Sequence, residues 1–492
     1  MGSLGDEPVG DFKVLHDPKP DDVSLTAFMV STTRGFLPRM DPIVTLPREF
    51  DPLESILQRM PVKTLSGEPG LLAHGTLGDT VTKELPDLTS FVDNYKHNLP
   101  LVNALYRDYS FLASAYLLEP CHLRFVHGEP YGLGRQVLPA NIARPIARCA
   151  ALCEFKPFME YAGSYALFNY KLVDPAKGLE DYSNLRLIRA FEQGLDPTSS
   201  EAGFVLVHVA MVRNSGPLVA GAVSCLGSVS QHKTTPLEAR TALNAGLTTM
   251  LASLRRINAV METMWMRSKP GAYTSFRTFI FGITSQSMFP HGVVYEGLDD
   301  NPENKPSSFR GESGANDSII PLMDNLLQIP MPSTPLTAIL DDFRQYRPSN
   351  HRRFLAWARA RSRQLGLKEW ALATATSDNP SSEQEREQIL VTRRLWLQAL
   401  DQVREFRWRH WCFAREYILK QTSHPTATGG SPIVTWLPNQ LEAVLAEMVN
   451  VGGGGEWDLG EECGDIMDLV KRQQETLKKE VTKFCEERGV AA

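Results

Sequence analysis

One histidine interrupts an apolar helical face in the stretch "EFRWRHWCFAREYIL", which runs from Glu405 to Leu419. Steps of three and four residues place seven side chains on one stripe: Trp396, Ala399, Val403, Phe406, His410, Phe413 and Tyr417. All of them except His410 are apolar or aromatic, so the stripe predicts a buried face with an imidazole in its middle. A neutral imidazole that points from a helix into an aromatic cavity can bind haem iron, and the flanking Arg407 and Arg409 could pair with the haem propionates. The more common alternative is a core histidine whose nitrogens are satisfied by hydrogen bonds.

Three other segments carry groups that could bind a ligand. Arg277 lies among phenylalanines in "AYTSFRTFIFGI", where a guanidinium could bind a substrate carboxylate through two hydrogen bonds, or could extend to the surface on its apolar stem. His208 follows Phe204 by four residues in "GFVLVHVAMV", so both would face a pocket if the segment is helical. The alternative for His208 is a core histidine bonded to a carbonyl. The run Thr428–Ser431 resembles a mobile glycine loop that could reach a polar substrate group, or is an ordinary turn.

Composition and charge exclude several classes of protein. The 492 residues have a formal net charge of −6, which argues against nucleic acid as a partner. We find no run of about eighteen apolar residues and no secretory signal, so neither a membrane span nor export is expected. Seven scattered cysteines predict reduced thiols in the cytoplasm, with neither a disulfide framework nor a zinc site. The "VGGGG" run near Gly452 lacks the lysine of a phosphate loop, and His410 has no neighbours for a nonhaem iron triad of two histidines and one carboxylate.

The elements that must position these groups are mostly helical, and we predict an all-α protein. An irregular arm is expected over residues 1–50, a small helical domain over 51–195 and a large helical domain over 196–492. The clearest helix start is Thr235, with Pro236 at the first helical position and Glu238 completing a capping box. The best strand candidate is "GFVLVHVAMV", because its β-branched residues are typical of strands.

Nine segments, taken together and in order, resemble the indoleamine 2,3-dioxygenase family, with a fungal-like pattern. They are "LPLVNALYRDYSFLASAYLLEP", "LPANIARP", "GFVLVHV", "SFRTFIFG", "GVVYEG", "GESGANDSIIPLMDNLL", "FRQYRPSNHRRFL", "RWRHWCFAREYIL" and "ATGGS". The resemblance begins at about Pro61 and covers most of the chain. It implies an all-helical fold in two domains, with haem b in the larger C-terminal domain.

The resemblance also assigns roles to single residues. On the proximal side, His410 matches the iron ligand, Asp324 a carboxylate near that ligand and the propionates, and Arg407 the propionate-side arginine. On the distal side, the matching residues are Phe204 at the indole, Arg277 at the substrate carboxylate, Ser313 and Gly314 in the loop above the haem, and Thr428 in the loop that closes over the amino acid.

Three positions depart from the mammalian pattern of the family. His208 replaces a serine and keeps the phenylalanine–histidine spacing of tryptophan 2,3-dioxygenases. Tyr273 replaces a pocket phenylalanine, and Ala427 replaces the first glycine of the loop. We therefore expect His208 and Tyr273 to contact the substrate as well.

The implied activity is insertion of both atoms of O2 across the indole C2–C3 bond of L-tryptophan, giving N-formylkynurenine, the first step of the kynurenine pathway toward NAD. No acid–base residue is needed, but an external donor must first reduce the iron. A cytoplasmic monomer is expected, without nucleic acid or membrane as partner. Two alternatives stay open: a haem protein of the same fold that acts on another indole, and a haem sensor or signalling protein without turnover.

Overall fold

The fold is almost entirely α-helical, which confirms the predicted class. A computed structural model describes residues 11–193, 196–231, 235–331, 335–373, 382–422, 427–430, 433–452 and 459–488. The strands within these ranges are short: β1 (Val137–Leu138) pairs in parallel with β4 (Val294–Tyr295), and β2 (Tyr170–Leu172) pairs antiparallel with β3 (Leu185–Leu187). The division between domains at residue 195 stays a prediction.

The N-terminal helices surround one long apolar helix. They are α1 (Asp51–Arg59), α2 (Leu71–His74), α3 (Leu77–Glu84), α4 (Thr89–Asn94), α5 (Leu99–Val126) and α6 (Ala140–Cys153). In α5, the Asn98 side chain accepts a hydrogen bond from the Leu101 N–H at 3.2 Å, and Pro100 occupies the first turn, where its missing N–H costs nothing. Apolar side chains all round this helix are buried, so α5 forms the centre of the N-terminal half.

The C-terminal helices build the larger half. They are α7 (Ser200–Val212), α8 (Ser215–Val229), α9 (Pro236–Glu262), α10 (Met264–Arg267), α11 (Pro270–Arg277), α12 (Ile319–Leu326), α13 (Pro335–Arg344), α14 (Ser349–Gln364), α15 (Leu367–Ala371), α16 (Glu383–Phe413), α17 (Ile433–Gly452) and α18 (Glu461–Arg488). Helix α9 packs against both α8 and α16, and α17 packs on the other part of α16. This arrangement fixes the stripe that carries His410.

Residues 11–47 contain no helix, and they pack against the C-terminal half. The Val30 N–H donates to the Asn350 side chain at 2.9 Å, and the Phe36 N–H donates to the Ser215 hydroxyl at 2.9 Å. Both contacts are buried, so this segment joins helices α8 and α14 that are far apart in sequence.

The structure resolves one ambiguous segment and contradicts one prediction about local structure. The strand candidate "GFVLVHVAMV" lies in α7, which Ser199 caps by accepting a hydrogen bond from the Ala202 N–H at 3.1 Å. Burial on nearly all sides explains its continuous apolar sequence without a sheet. At the start of α9, Thr235 is the N-cap, but its side chain makes no capping hydrogen bond. The predicted capping box therefore does not form.

The segment Ser200–Val229 differs from the expectation that no membrane-length apolar stretch exists. By length and hydropathy it could cross a membrane, and it is the one such stretch among the residues described here. It forms the two consecutive helices α7 and α8, and 72% of its apolar window is buried inside the protein. Its apolar character therefore fits a core helix pair.

Candidate functional site

A large internal cavity lies between α7, α16 and the loop that contains Thr428. It comprises about 1120 Å³ of space that protein atoms do not fill, part of it open to solvent, and its surface is mainly apolar and aromatic. The lining residues are Phe204, Val207, His208, Met211, Met261, Met264, Tyr273, Glu312, Ser313, Gly314, Ala315, Asp317, Phe406, His410, Phe413, Ala414, Tyr417, Ile418, Ala427, Thr428, Trp436 and Leu437. An aromatic cavity with a few polar groups is typical of a site for a cofactor or a small molecule.

The stripe on α16 divides into a core part and a cavity part. Trp396, Ala399 and Val403 are fully buried in the core, whereas its later members Phe406, His410, Phe413 and Tyr417 line the cavity. Just beyond His410, residues Ala414–Leu419 widen into a π-helix, a geometry that is common near functional sites. The predicted stripe thus delivers His410 to the cavity wall.

The imidazole of His410 is available to a ligand. No residue in the described ranges forms a hydrogen bond with its ring nitrogens, and burial lowers the pKa of His410 to about 4, with a smaller contribution from the nearby His208. The ring is therefore neutral at physiological pH. A neutral imidazole with a free nitrogen lone pair is the form that binds iron.

His208 lines the same cavity from α7. Its Nδ1 lies 2.8 Å from the Phe204 carbonyl oxygen. Since a carbonyl oxygen can only accept, Nδ1 carries the proton and donates this hydrogen bond. Burial lowers the pKa of His208, so Nε2 is left unprotonated as an acceptor. A Cβ added at Gly314 would lie 3.8 Å from this Nε2, which places the acceptor beside the cavity loop. The i, i+4 spacing thus sets both the ring orientation and its tautomer.

Arg407 and Asp324 form an ion pair one helical turn before His410. The Nη2 of Arg407 donates to both carboxylate oxygens of Asp324, at 2.9 and 2.8 Å. Its Nη1 is buried and has no hydrogen-bond partner in the described part of the chain. Neither residue lines the cavity as it stands. An orphaned guanidinium N–H at this place fits an anionic group such as a haem propionate.

Arg409, the other arginine beside His410, is not part of the Arg407–Asp324 ion pair. It donates to Glu262, Glu405 and Asn258 on neighbouring helical surfaces. Arg409 does not line the cavity and its guanidinium is occupied by these partners, so nothing here supports it as a propionate partner, and that role stays a prediction.

Arg277 is fully buried but does not line the cavity. Its guanidinium donates to the hydroxyls of Tyr131 and Tyr273 and lies 4.7 Å from the ring centre of Phe281. Tyr273 itself lines the cavity and packs against Phe204 with ring centres 5.3 Å apart. Arg277 therefore lies one layer behind the wall that Tyr273 forms.

The loop at Thr428 is attached to the segment that contains Ser313. The Thr428 hydroxyl donates to the Glu312 carbonyl at 2.7 Å, and the Gly282 N–H donates to the Thr428 carbonyl at 2.9 Å. Arg310 donates to the Gly429 carbonyl at 2.9 Å. Ser313 and Gly314 line the cavity beside this loop, while Ser431 falls outside the described residues.

Two buried carboxyl groups of the cavity wall were missed by the sequence analysis. The Glu312 side chain is 3% exposed, and burial raises its pKa to about 8. Asp317 caps α12 through one oxygen, which accepts from the Ile319 and Ile320 N–H groups, while its other oxygen has no partner among residues that the structure describes. Nothing in a polar loop sequence distinguishes a buried acid from an exposed one.

A metal centre built from side chains alone is not found in this part of the chain. The described residues contain no group of three or more His, Cys, Asp or Glu side chains that could hold an ion.

Comparison with known proteins gives consistent matches. The family model described as indoleamine 2,3-dioxygenase matches residues 24–456. Indoleamine 2,3-dioxygenase 1 of Rattus norvegicus is 28% identical over 225 residues, which are 45% of this chain and 51% of that protein, so the match spans about half of the rat enzyme. Mouse indoleamine 2,3-dioxygenase 1 is 26% identical over 64% of this chain and 69% of its own. Indoleamine 2,3-dioxygenase of Saccharomyces cerevisiae is 26% identical over 70% of this chain and 72% of its own.

Proposed function

Because the chain belongs to the indoleamine 2,3-dioxygenase family, we propose that it is a haem-dependent dioxygenase that inserts both atoms of O2 across the indole C2–C3 bond of L-tryptophan, giving N-formylkynurenine. The observation that carries the proposal is the pair of neutral histidines, His410 and His208, on the walls of one aromatic cavity. One is suited to iron and the other to an indole N–H.

The residues around the cavity fit haem b. His410 would provide a nitrogen ligand to the iron, and the orphaned Nη1 of Arg407 would bind a propionate, with Asp324 holding the guanidinium in place. Ser313 would contact the cofactor and the substrate from the distal loop. Haem, when bound, supplies the iron-centred activation of O2 that side chains cannot provide.

The protein orients the substrate and excludes water. Phe204 and Tyr273 would hold the indole by aromatic packing, and the Nε2 of His208 would accept its N–H. Tyr273 at the cavity wall, with Arg277 hydrogen-bonded behind it, would bind the carboxylate, and Thr428 would contact the amino acid from its loop. Orientation in a dry pocket accounts for the catalysis expected of these residues, so no acid–base pair is required.

The direct test is a turnover assay on the haem-loaded, reduced protein. With L-tryptophan and O2, we expect N-formylkynurenine, identified by its absorbance and mass. A protein that binds haem but forms no oxygenated product from L-tryptophan contradicts the proposal. If only a different indole gives an oxygenated product, that indole replaces L-tryptophan as the assigned substrate. The further expectations, a cytoplasmic monomer that takes electrons from an external donor and supplies the kynurenine pathway toward NAD, stay predictions.

Replacing His208 tests the indole contact. We expect His208→Ser to keep activity, because a hydroxyl can partly replace the acceptor, while KM for L-tryptophan rises several-fold, since a lost hydrogen bond is worth roughly 1 kcal/mol. The measurement is the ratio of kcat/KM for L-tryptophan and 1-methyltryptophan, which has no N–H to donate. Wild type should prefer L-tryptophan more strongly than the variant does. An unchanged ratio with intact haem content would make His208 a structural residue.

A further inference from the structure

Glu312 presents a buried carboxyl group to the cavity that the proposed oxygenation does not use. Its side chain is 3% exposed, it lines the cavity, and no described residue forms a hydrogen bond with its carboxyl oxygens. A buried acid without a hydrogen-bond partner is costly unless a ligand satisfies it. The carboxyl therefore indicates a group on the ligand that is positively charged or donates a hydrogen bond.

The neighbours of Glu312 in the cavity wall are Thr428 and Tyr273. Its carbonyl accepts from the Thr428 hydroxyl at 2.7 Å, so its backbone is joined to the loop that faces the substrate. The charge of Glu312 also raises the pKa of Tyr273, after the larger effects of burial and of Arg277, so the two side chains are close enough to interact. Arg277, in turn, donates to the Tyr273 hydroxyl. A cationic and an anionic side chain thus both lie close to Tyr273.

We propose that Glu312 binds the α-ammonium group of the substrate and so selects a zwitterionic amino acid. An α-amino acid carries its carboxylate and ammonium groups on one carbon, and an apolar cavity accepts such a zwitterion only if both charges find partners. Tyr273, with Arg277 behind it, binds the carboxylate, and Glu312 binds the ammonium group. This inference rests on the proposed function, because it assumes a tryptophan-like substrate.

The protonation of Glu312 gives a second consequence. Burial raises its pKa to about 8, so in the empty cavity the carboxyl is mostly protonated at neutral pH, and binding of an ammonium group expels that proton to solvent. Affinity for L-tryptophan should therefore rise as the pH is raised from about 7 toward 8. Other titratable groups lie around Glu312. Burial lowers the pKa of His208, which keeps it neutral over this range, and raises the pKa of Glu160 to about 8 and that of Asp317 to about 6. Burial also raises the pKa of three tyrosines above their usual range: Tyr161, Tyr165 and Tyr273.

The test compares binding of three indoles to the ferric, haem-loaded protein by calorimetry. L-tryptophan carries both charges, tryptamine only the ammonium and indole-3-propionate only the carboxylate. We expect Glu312→Gln to weaken the binding of L-tryptophan and tryptamine by about ten- to a hundredfold, which is the effect of losing a charge-assisted hydrogen bond. The affinity for indole-3-propionate should stay within about twofold of wild type. Glu312→Asp should recover part of the loss. The rise of L-tryptophan affinity with pH should disappear in Glu312→Gln.

A matched control is Glu201→Gln. Burial raises the pKa of Glu201 to about 8 as well, but its carboxyl accepts from the Phe191 and Glu192 N–H groups and does not line the cavity. This variant should leave the ratios among the three ligands unchanged. Equal weakening of all three ligands by Glu312→Gln, or no weakening of tryptamine, overturns the inference. Turnover of L-tryptophan by wild type is scored separately, so a failure of the proposed function is distinguished from a failure of the Glu312 assignment.

Discussion

His410→Ala loses stable haem binding. The reason is geometric: α16 delivers one imidazole to the cavity wall, the neighbouring Phe406 and Phe413 have no ligand atom, and the Tyr417 hydroxyl donates to the Ser268 carbonyl. Loss of a metal ligand should cost at least the roughly ten- to hundredfold in affinity that outer partners of a ligand contribute. The measurement is haem content and the haem absorbance band of protein purified after growth with excess haem precursor. Far-UV circular dichroism should stay unchanged, because the substitution removes no hydrogen bond among the described residues.

His208→Ala is the matched control for this prediction. His208 is the other imidazole that lines the cavity in the described residues, and its Nε2 also faces the ligand space. We expect His208→Ala to retain haem with an altered substrate response. If His410→Ala keeps a normal haem spectrum and His208→Ala loses it, the proximal and distal assignments must be exchanged. Haem retained by both single variants would contradict axial ligation by either histidine.

Arg277→Lys should lower kcat/KM for L-tryptophan by about ten- to a hundredfold, the effect of losing a charge-assisted hydrogen bond of roughly 1.5–3 kcal/mol. Lysine keeps the charge but loses the planar fork that donates to Tyr131 and Tyr273 together. Tyr273 would then lose its fixed orientation at the cavity wall, and the carboxylate would lose its partner. Steady-state kinetics on haem-loaded protein measures the effect, and the haem spectrum should stay nearly unchanged because His410 and the Arg407–Asp324 pair are retained.

Tryptamine separates a carboxylate role from a structural one. It lacks the carboxylate, so Arg277→Lys should change its binding by less than about twofold if the arginine acts on that group. Equal losses for L-tryptophan and tryptamine would mean that Arg277 only supports the fold. Kinetics with L-tryptophan within about twofold of wild type would remove Arg277 from the binding site altogether.

The helices that carry the site were predictable where one face is apolar and the rest is not. The stripe through His410 has that pattern, and its spacing alone placed Phe406, Phe413 and Tyr417 with the histidine on one face. The segment around His208 was ambiguous because Val205, Val207 and Val209 favour a strand locally, and only burial on nearly all sides of α7 decides for a helix. The helix that carries the stripe could be predicted from the sequence, whereas the helical structure of α7 follows only from its packing in the folded protein.

The positions of Glu312 and Arg277 could not be predicted from the sequence for a different reason. Glu312 lies in a polar, glycine-containing loop, yet it is buried, and its backbone is bonded to Thr428, more than a hundred residues later. Arg277 was expected at the cavity surface, but hydrogen bonds to Tyr131 and Tyr273 hold it behind that surface. Both outcomes depend on contacts between distant segments, which local patterns do not contain.

The apolar helix pair α7–α8 has a consequence for biosynthesis. Residues 200–229 leave the ribosome before α9, the helix that packs beside both α7 and α8. Since a chain emerges from its N-terminus, this membrane-length apolar segment lacks that partner until residues up to 262 have been synthesised. A chain stopped before α9 would therefore aggregate or bind chaperones, although the complete protein buries the same surface.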